Sequence, residues 1–460
     1  MNDLRSFIDN VRREFPDEIL TISKEVDPRF EITALVAKLE QERRFPILVF
    51  EKVKGTKFPV VTNVHAGRRR LASAIGSEPR SAVATYLRRI ERPIPPKEVA
   101  TGPVKEVILK GDQVDLRALP QIVHHQDDAG PYLTAGITLA QDPVSGRLNC
   151  SFNRLMFIDK NHTSIHLTLA KHLWECYTNA EKLKQPLKLA VILGAHPAWS
   201  LGALNIGSLD EEEFYLMGSL AGEAMEVVPA ETMDLKVPAR AEMILEGEIP
   251  PFERVDEGPF GEFTGYSLGS RKREIFNVKA VTHRKDAWLH DISVGHIDHL
   301  LLSTIPMEAN LFRSVRAMVP SVKAVRIPAP FTVYVSIEKK TEGQGKNAIL
   351  AILGSDLYMK HVIVVDHDID IFNDQRVQWA VGTRCQADRD VMIISNVGGS
   401  DLDPSNLKDG VSAKMGIDAT AKPRLDKFTP RHRVAKDVFE RLDLKDFVPA
   451  SWLAQKDGTR

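Results

Sequence analysis

Leu4, Phe7, Ile8, Val11 and Phe15 recur at the three-and-four spacing of a helix with one apolar face, and Ile32, Leu35, Val36 and Leu39 repeat it. Two β-rich runs follow, 46–53 and 58–64. Ala82, Val83, Tyr86, Leu87 and Ile90 mark another helix, which Pro93, Pro95 and Pro96 break. Residues 1–100 therefore read as a small α/β unit. The middle of the chain is strand-rich, with candidates at 134–140, 148–159, 188–194, 241–248, 277–284 and 287–294. Turn signals and a few helices separate them, which predicts a barrel-like domain over 101–305. The run 306–318 reads as a helix and connects the domains across 306–325. From there the pattern alternates: strands at 331–339, 361–366 and 391–396, helices at 347–353 and 374–383. That alternation predicts a C-terminal α/β domain over 326–460 with a mostly parallel sheet. Beyond Asp401 the chain reads as polar and irregular until about Val434. The fold class expected is α/β in several domains.

Composition narrows the function classes. Lysine plus arginine number 61 against 62 acids, for a formal net charge of −1. No nucleic-acid or polybasic membrane surface is expected. Cys150, Cys176 and Cys385 are too scattered for a disulfide framework or a CxxC zinc site. No apolar run approaches the roughly 20 residues of a membrane span. The N-terminus lacks the apolar core of a signal peptide, so a cytoplasmic location is expected.

The segment Glu257-Gly258-Pro259-Phe260-Gly261-Glu262-Phe263-Thr264-Gly265-Tyr266 carries the most chemical information. Two glycines and a proline between its carboxylates exclude mid-helix and favour a tight loop. Phe260 and Phe263 can keep water away, and a sheltered carboxyl holds its proton to higher pH. The plainer alternative is a surface turn with solvated acids. Asn149-Cys150-Ser151-Phe152-Asn153-Arg154 reads as a strand, with Asn149, Ser151 and Asn153 on one face and Cys150, Phe152 and Arg154 on the other. A guanidinium inside a barrel needs a partner, and the Glu257/Glu262 loop offers two.

His172 lies at the edge of a helical face formed by Leu169, Leu173, Cys176, Tyr177 and Ala180, where a histidine is more often structural. Asp210, Glu211, Glu212 and Glu213 gather before an apolar helical run, which helix-dipole complementarity explains by itself. If Asn149, His172 and one of these glutamates converged, the mixed oxygen and nitrogen set would suit manganese or magnesium better than zinc. There is no G-x-G-x-x-G fingerprint, no Walker loop at Gly343–Lys346, no H-E-x-x-H and no G-x-S-x-G.

In their shared order, these segments resemble the UbiD family of prenylated-flavin-dependent decarboxylases. Further matches are Lys171-His172, Val237-Pro238-Ala239, Glu246-Gly247, Val364-Val365-Asp366, Trp379-Ala380, Thr383-Arg384, Arg389-Asp390, Leu402-Asp403-Pro404 and Gly416 to Thr420. The resemblance covers most of the chain. It implies that Arg154, Glu257 and Glu262 form the catalytic network, with Glu262 as proton donor. It implies that Asn149, His172 and Glu213 bind Mn2+ (or Mg2+), which holds the phosphate of prenylated FMN, with K+ nearby. Glu213 is chosen over its neighbours because its spacing to Glu262 matches the family. Lys171, Lys346, Phe152 and Asn153 are implied cofactor contacts. The implied fold has a split β-barrel cofactor domain and a C-terminal domain that forms homodimers or higher homo-oligomers. Loss of CO2 from an sp² carbon leaves a carbanion no side chain can delocalise, so the electron sink must come from a cofactor.

The chain departs from the commonest family pattern after Val294, where His296, Ile297, Asp298, His299 and Leu300 stand in place of a Gly-Arg-Pro-Pro-like stretch. This form resembles the branch acting on heteroaromatic and hydroxyaromatic acids. Members that accept furan dicarboxylate carry arginine where Met307 stands. The resemblance thus implies an aromatic or heteroaromatic monoacid, CO2 as co-product, and a pocket including His296, His299 and Met307. A prenyl-flavin synthase is the expected cofactor supplier. The alternatives are a carboxylase subunit working in the opposite direction and a flavin carrier without chemistry. Intact Arg154, Glu257 and Glu262 argue against the carrier.

Overall fold

The computed structural model describes residues 3–168, 171–205, 213–406, 410–432 and 434–449. The first apolar helix, Leu4–Glu14, is entered through a capping box in which the Asp3 carboxylate accepts from the Ser6 N–H. Leu4, Phe7, Ile8 and Val11 pack on Ile47, Val49 and Val61 of a four-stranded sheet. That sheet is ordered Ile19–Ile22, Ile47–Phe50, Val60–Thr62, Leu289–His290. Its last strand corrects the sequence reading, which assigned 287–294 to the central domain. Leu289 instead lies opposite Val60 in a parallel pairing. Strand pattern identifies a strand but not the sheet that receives it.

The central domain is an eight-stranded sheet. Its path runs His162–Ile165, Arg271–His283, Met243–Ile249, Leu187–Leu193, Ile137–Gln141, Leu148–Phe152, and every pairing along it is antiparallel. Val107–Lys110 and Arg254–Glu257 also pair with the long strand Arg271–His283. Among the described residues the two ends of the path do not pair, so the sheet is open and no closed barrel forms. The helix His172–Lys182 covers one face through Leu173, Cys176, Tyr177 and Ala180. The helices Pro197–Ala203 and Glu213–Ala221 cover the other through Trp199, Phe214 and Met217. A strand buried on both faces needs apolar side chains on both, hence the nearly unbroken apolar run of Leu187–Leu193.

The helix Thr304–Met318 leads into the C-terminal domain. There a five-stranded sheet is ordered Val322–Ala329, Thr332–Ile337, His361–Asp366, Val411–Ala419, Val391–Gly398. The three middle strands are parallel, and both edge strands run antiparallel to their neighbours, so the sheet is mixed. The strand Val411–Ala419 corrects the expectation of an irregular polar tail. Its Ser412, Lys414, Gly416 and Asp418 carry little apolar signal yet alternate with more exposed neighbours.

Candidate active site

The strand Leu148–Phe152 ends before Arg154, so Arg154 does not share the face of Phe152 as strand alternation predicted. It sits in the link to the short strand Leu155–Met156, where the neighbouring Asn153 N–H donates to the Gly136 carbonyl. From this link its side chain reaches both carboxylates of the Gly/Pro loop. Nε and Nη2 donate to the two oxygens of Glu257 at 3.0 and 3.3 Å, and Nη1 donates to Glu262. The guanidinium also stands 5.0 Å from the centre of the Phe260 ring. The loop is held by its own turn, in which the Glu262 N–H donates to the Tyr266 carbonyl and the Gly265 N–H to that of Glu262. Gly265 takes φ +80°, a backbone region that disfavours other residues.

The two acids are not equivalent. Both are buried, but burial pushes the Glu262 carboxyl above the ordinary glutamate value, and its contact with Arg154 offsets this only in part. Glu257 faces a second guanidinium that sequence reading missed, with Arg273 Nε 3.6 Å from its Oε2. Arg273 stands in the charged run Arg271-Lys272-Arg273, which belongs to no motif. Pairing with the strand Arg254–Glu257 brings Arg273 beside Glu257. Tyr132 was missed as well. It is fully buried, its ring lies 3.9 Å from that of Phe260, and burial together with the charge of Glu257 raises its phenol. His166 is driven down to about 2 by burial and by Arg154, Arg273 and Arg271, so it stays neutral among them.

The expected metal ligands also meet. Glu213 accepts from Asn149 Nδ2 at 3.5 Å and from the Cys150 N–H at 3.3 Å, and its Oε1 lies 3.5 Å from His172 Nδ1. Contact with Glu213 raises the His172 imidazole above its ordinary value against the effect of partial burial. Asn149 Oδ1 is buried without a hydrogen-bond partner. One amide oxygen, one carboxylate and one imidazole at such range fit a hard divalent cation. Among the described residues no group of three or more His, Cys, Asp or Glu forms a metal cluster. Lys171 is exposed at the start of the His172–Lys182 helix, and Asn153 is buried, donating to the His166 carbonyl at 2.8 Å. Phe152 packs beside Ala135, Ile292 and Leu302. Lys346 lies in the helix Gln344–Ser355 of the C-terminal domain, and no hydrogen bond or ion pair among the described residues joins it to the other site residues. Leu169 lies outside the described residues.

His299 stands edge-on to Phe263, 6.1 Å between ring centres, and Phe263 also meets Phe331 at 5.5 Å and Tyr358 at 6.3 Å. Burial lowers His299 to about 4, and its Nδ1 has no partner. His296 instead pairs with Glu40 at 2.7 Å and stacks on His125. Met307 packs against the core between the connecting helix and the C-terminal sheet.

Arg154 thus bridges two buried carboxylates, and Asn149, Glu213 and His172 gather as an amide–carboxylate–imidazole set. Three sequence profiles of 3-octaprenyl-4-hydroxybenzoate carboxy-lyase match in series: the N-terminal domain over 12–90, the Rift-related domain over 97–297 and the C-terminal domain over 300–419. The chain belongs to the UbiD family and is a carboxy-lyase of that family. It is 34% identical over 420 residues to the anhydromevalonate phosphate decarboxylase of Methanosarcina mazei, covering 90% of this chain and 95% of that one. The UbiD-class enzyme HmfF from Pelotomaculum thermopropionicum in complex with FMN superposes with a TM-score of 0.90 at 39% identity, over 97% of this chain and 100% of that one. An evolved dimeric form of HmfF in complex with prFMN gives 0.87 at 37% identity, with the same coverage. The apo 3,4-dihydroxybenzoic acid decarboxylase AroY of Klebsiella pneumoniae gives 0.89 at 27%, over 98% and 99% of the two chains. No helix among the described residues is long and apolar enough to cross a membrane.

Proposed function

We propose that this chain is a reversible, non-oxidative decarboxylase of an aromatic or heteroaromatic acid, working with prenylated FMN and with Glu262 as proton donor. The observation that carries the reading is the setting of Glu262. It is a buried carboxyl with a raised pKa on one guanidinium, beside the aromatic group Phe263, His299, Phe331 and Tyr358. The flavins in the HmfF structures support the cofactor. Prenylated FMN, when bound, supplies the electron sink that decarboxylation at an sp² carbon needs.

The chain's own residues do the rest. Arg154 orients the substrate carboxylate and holds Glu257 and Glu262 in place. Glu262 gives its proton to the carbon that loses CO2, and in reverse takes it back. The aromatic group keeps water from that proton. Asn149, His172 and Glu213 would hold Mn2+ (or Mg2+), which would neutralise the charge of the cofactor phosphate, and K+ would add to that neutralisation. Lys171, Lys346, Phe152 and Asn153 are further cofactor contacts. His296, His299 and Met307 shape the acid pocket. The working form is a homodimer or higher homo-oligomer, supplied by a prenyl-flavin synthase.

A phosphorylated acid of the kind the Methanosarcina relative's name gives is the second reading, favoured by that full-length similarity. The test is CO2 release by protein co-produced with a prenyl-flavin synthase. Furoic, pyrrole-, indole- and hydroxybenzoic acids are compared with anhydromevalonate phosphate. Turnover of a ring acid is the expected result. Turnover of the phosphate alone replaces the first reading with the second.

A further inference from the structure

Glu257 and Glu262 are the same residue type five positions apart, yet the reaction needs the proton on one of them. Arg154 cannot make that choice, because it donates to both. Arg273 can. On the strand Arg271–His283 it lies opposite Val255, and Arg271 lies opposite Glu257. Alternation along paired strands puts Val255, Glu257, Arg271 and Arg273 on one side of the ladder. Arg273 Nε then stops 3.6 Å from Glu257 Oε2, with the Arg273 side chain 17% exposed and that of Glu257 2%. That Nε is buried and has no hydrogen-bond partner. A buried guanidinium N–H is costly to leave unpaired, and Glu257 is the carboxylate within salt-bridge range of it.

We propose that Arg273 is a positioning residue: by standing on Glu257 and not on Glu262, it keeps the single proton of the pair on Glu262. At this distance and an effective dielectric constant of about 20, one positive charge favours ionisation of the nearer carboxylate by more than about tenfold. Arg154, Arg271, Glu274 and His166 surround Arg273. Tyr132 faces Glu257, and Arg154, Glu257 and Tyr358 face Glu262. None of these meets one carboxylate with a guanidinium while leaving the other without it. The inference rests on the reading of Glu262 as proton donor and adds the group that makes it so.

The test uses the full chain with isotope-labelled glutamate. The infrared carbonyl band of the pair is the part of the protonated-carboxyl signal that the Glu257→Gln/Glu262→Gln double variant removes, so that the buried Glu274 and Glu308 drop out; it is followed through a pH titration, with and without bound flavin. In the parent protein the band should vanish on Glu262→Gln and survive Glu257→Gln. In an Arg273→Gln background, part of the band should survive Glu262→Gln, because the proton now also occupies Glu257. In the loaded enzyme, Arg273→Gln should lower the kcat plateau about twofold, as a proton shared between the two acids requires, and move the alkaline limb to higher pH, since the pair has lost a positive neighbour. Arg273→Lys keeps the charge and should restore most of both. The proposal is overturned if Glu262→Gln still abolishes the whole band in the Arg273→Gln background, or if the limb stays put. Survival of the parent band in Glu262→Gln alone overturns it too, and with it the proton-donor reading.

Discussion

Three predictions belong to single side chains. Glu262→Gln keeps the shape and removes the proton, so the rate should fall by about 10²–10⁴ with flavin still bound, as read by single-turnover kinetics. The same substitution should raise stability. A carboxyl raised by burial binds its proton more tightly in the folded state, so stability falls as pH climbs from the ordinary glutamate value through the raised one. The Tm advantage of Glu262→Gln should therefore grow across that window and level off above it. A Tm difference independent of pH would show that Glu262 titrates alike in both states. In a third experiment, His172→Ala and Glu213→Ala should each lose manganese and flavin on purification while keeping the far-UV spectrum; full occupancy in both would reject the metal site. At this scale the sequence made the Gly/Pro loop and its two acids legible, because backbone restrictions are local. Arg273 and Tyr132 were not legible. Each depends on a strand partner more than ten residues away, and neither sits in a motif.

Elements were legible where periodicity was strong. The connecting helix, read at 306–318, spans Thr304–Met318, and the C-terminal helices fall where their spacing put them. Ile19–Ile22 and Val411–Ala419 escaped because their exposed or polar positions resemble loop text. Register within the central sheet depends on a detail that periodicity cannot carry. Between Glu246 and Gly247 the pairing with Arg271–His283 shifts by one residue. A Cβ on Gly247 would lie 2.0 Å from the Asn277 carbonyl oxygen, which belongs to the partner backbone and cannot step aside. Gly247→Ala should therefore cost about 2–3 kcal/mol, seen as a lower denaturation midpoint at unchanged slope. A midpoint equal to the parent's would mean that the bulge can move.

The whole molecule is joined by contacts of very different weight. Arg68 of the N-terminal unit donates to Glu308 of the connecting helix at 3.0 Å, and the same carboxylate accepts from the Ile327 N–H at 2.9 Å. Glu308 is fully buried, and its removal strands the Arg68 charge. Glu308→Ala should cost about 3–5 kcal/mol. Arg80 also reaches across, to Asp370 at 2.7 Å, but its side chain is 67% exposed. Arg80→Ala should change stability by less than about 1 kcal/mol, and the comparison by chemical denaturation tests whether depth decides. A further contact joins the central domain to the C-terminal one. Phe263, next in the chain after Glu262, is seated against Phe331 and Tyr358 of the C-terminal domain. The domains are therefore not interchangeable parts. A chimera that took its C-terminal half from a relative would inherit that relative's seat for Phe263, and with it a different placement of the acid. Recombination within this family should succeed only when Phe263, Phe331 and Tyr358 travel as one unit, whichever parent supplies the rest.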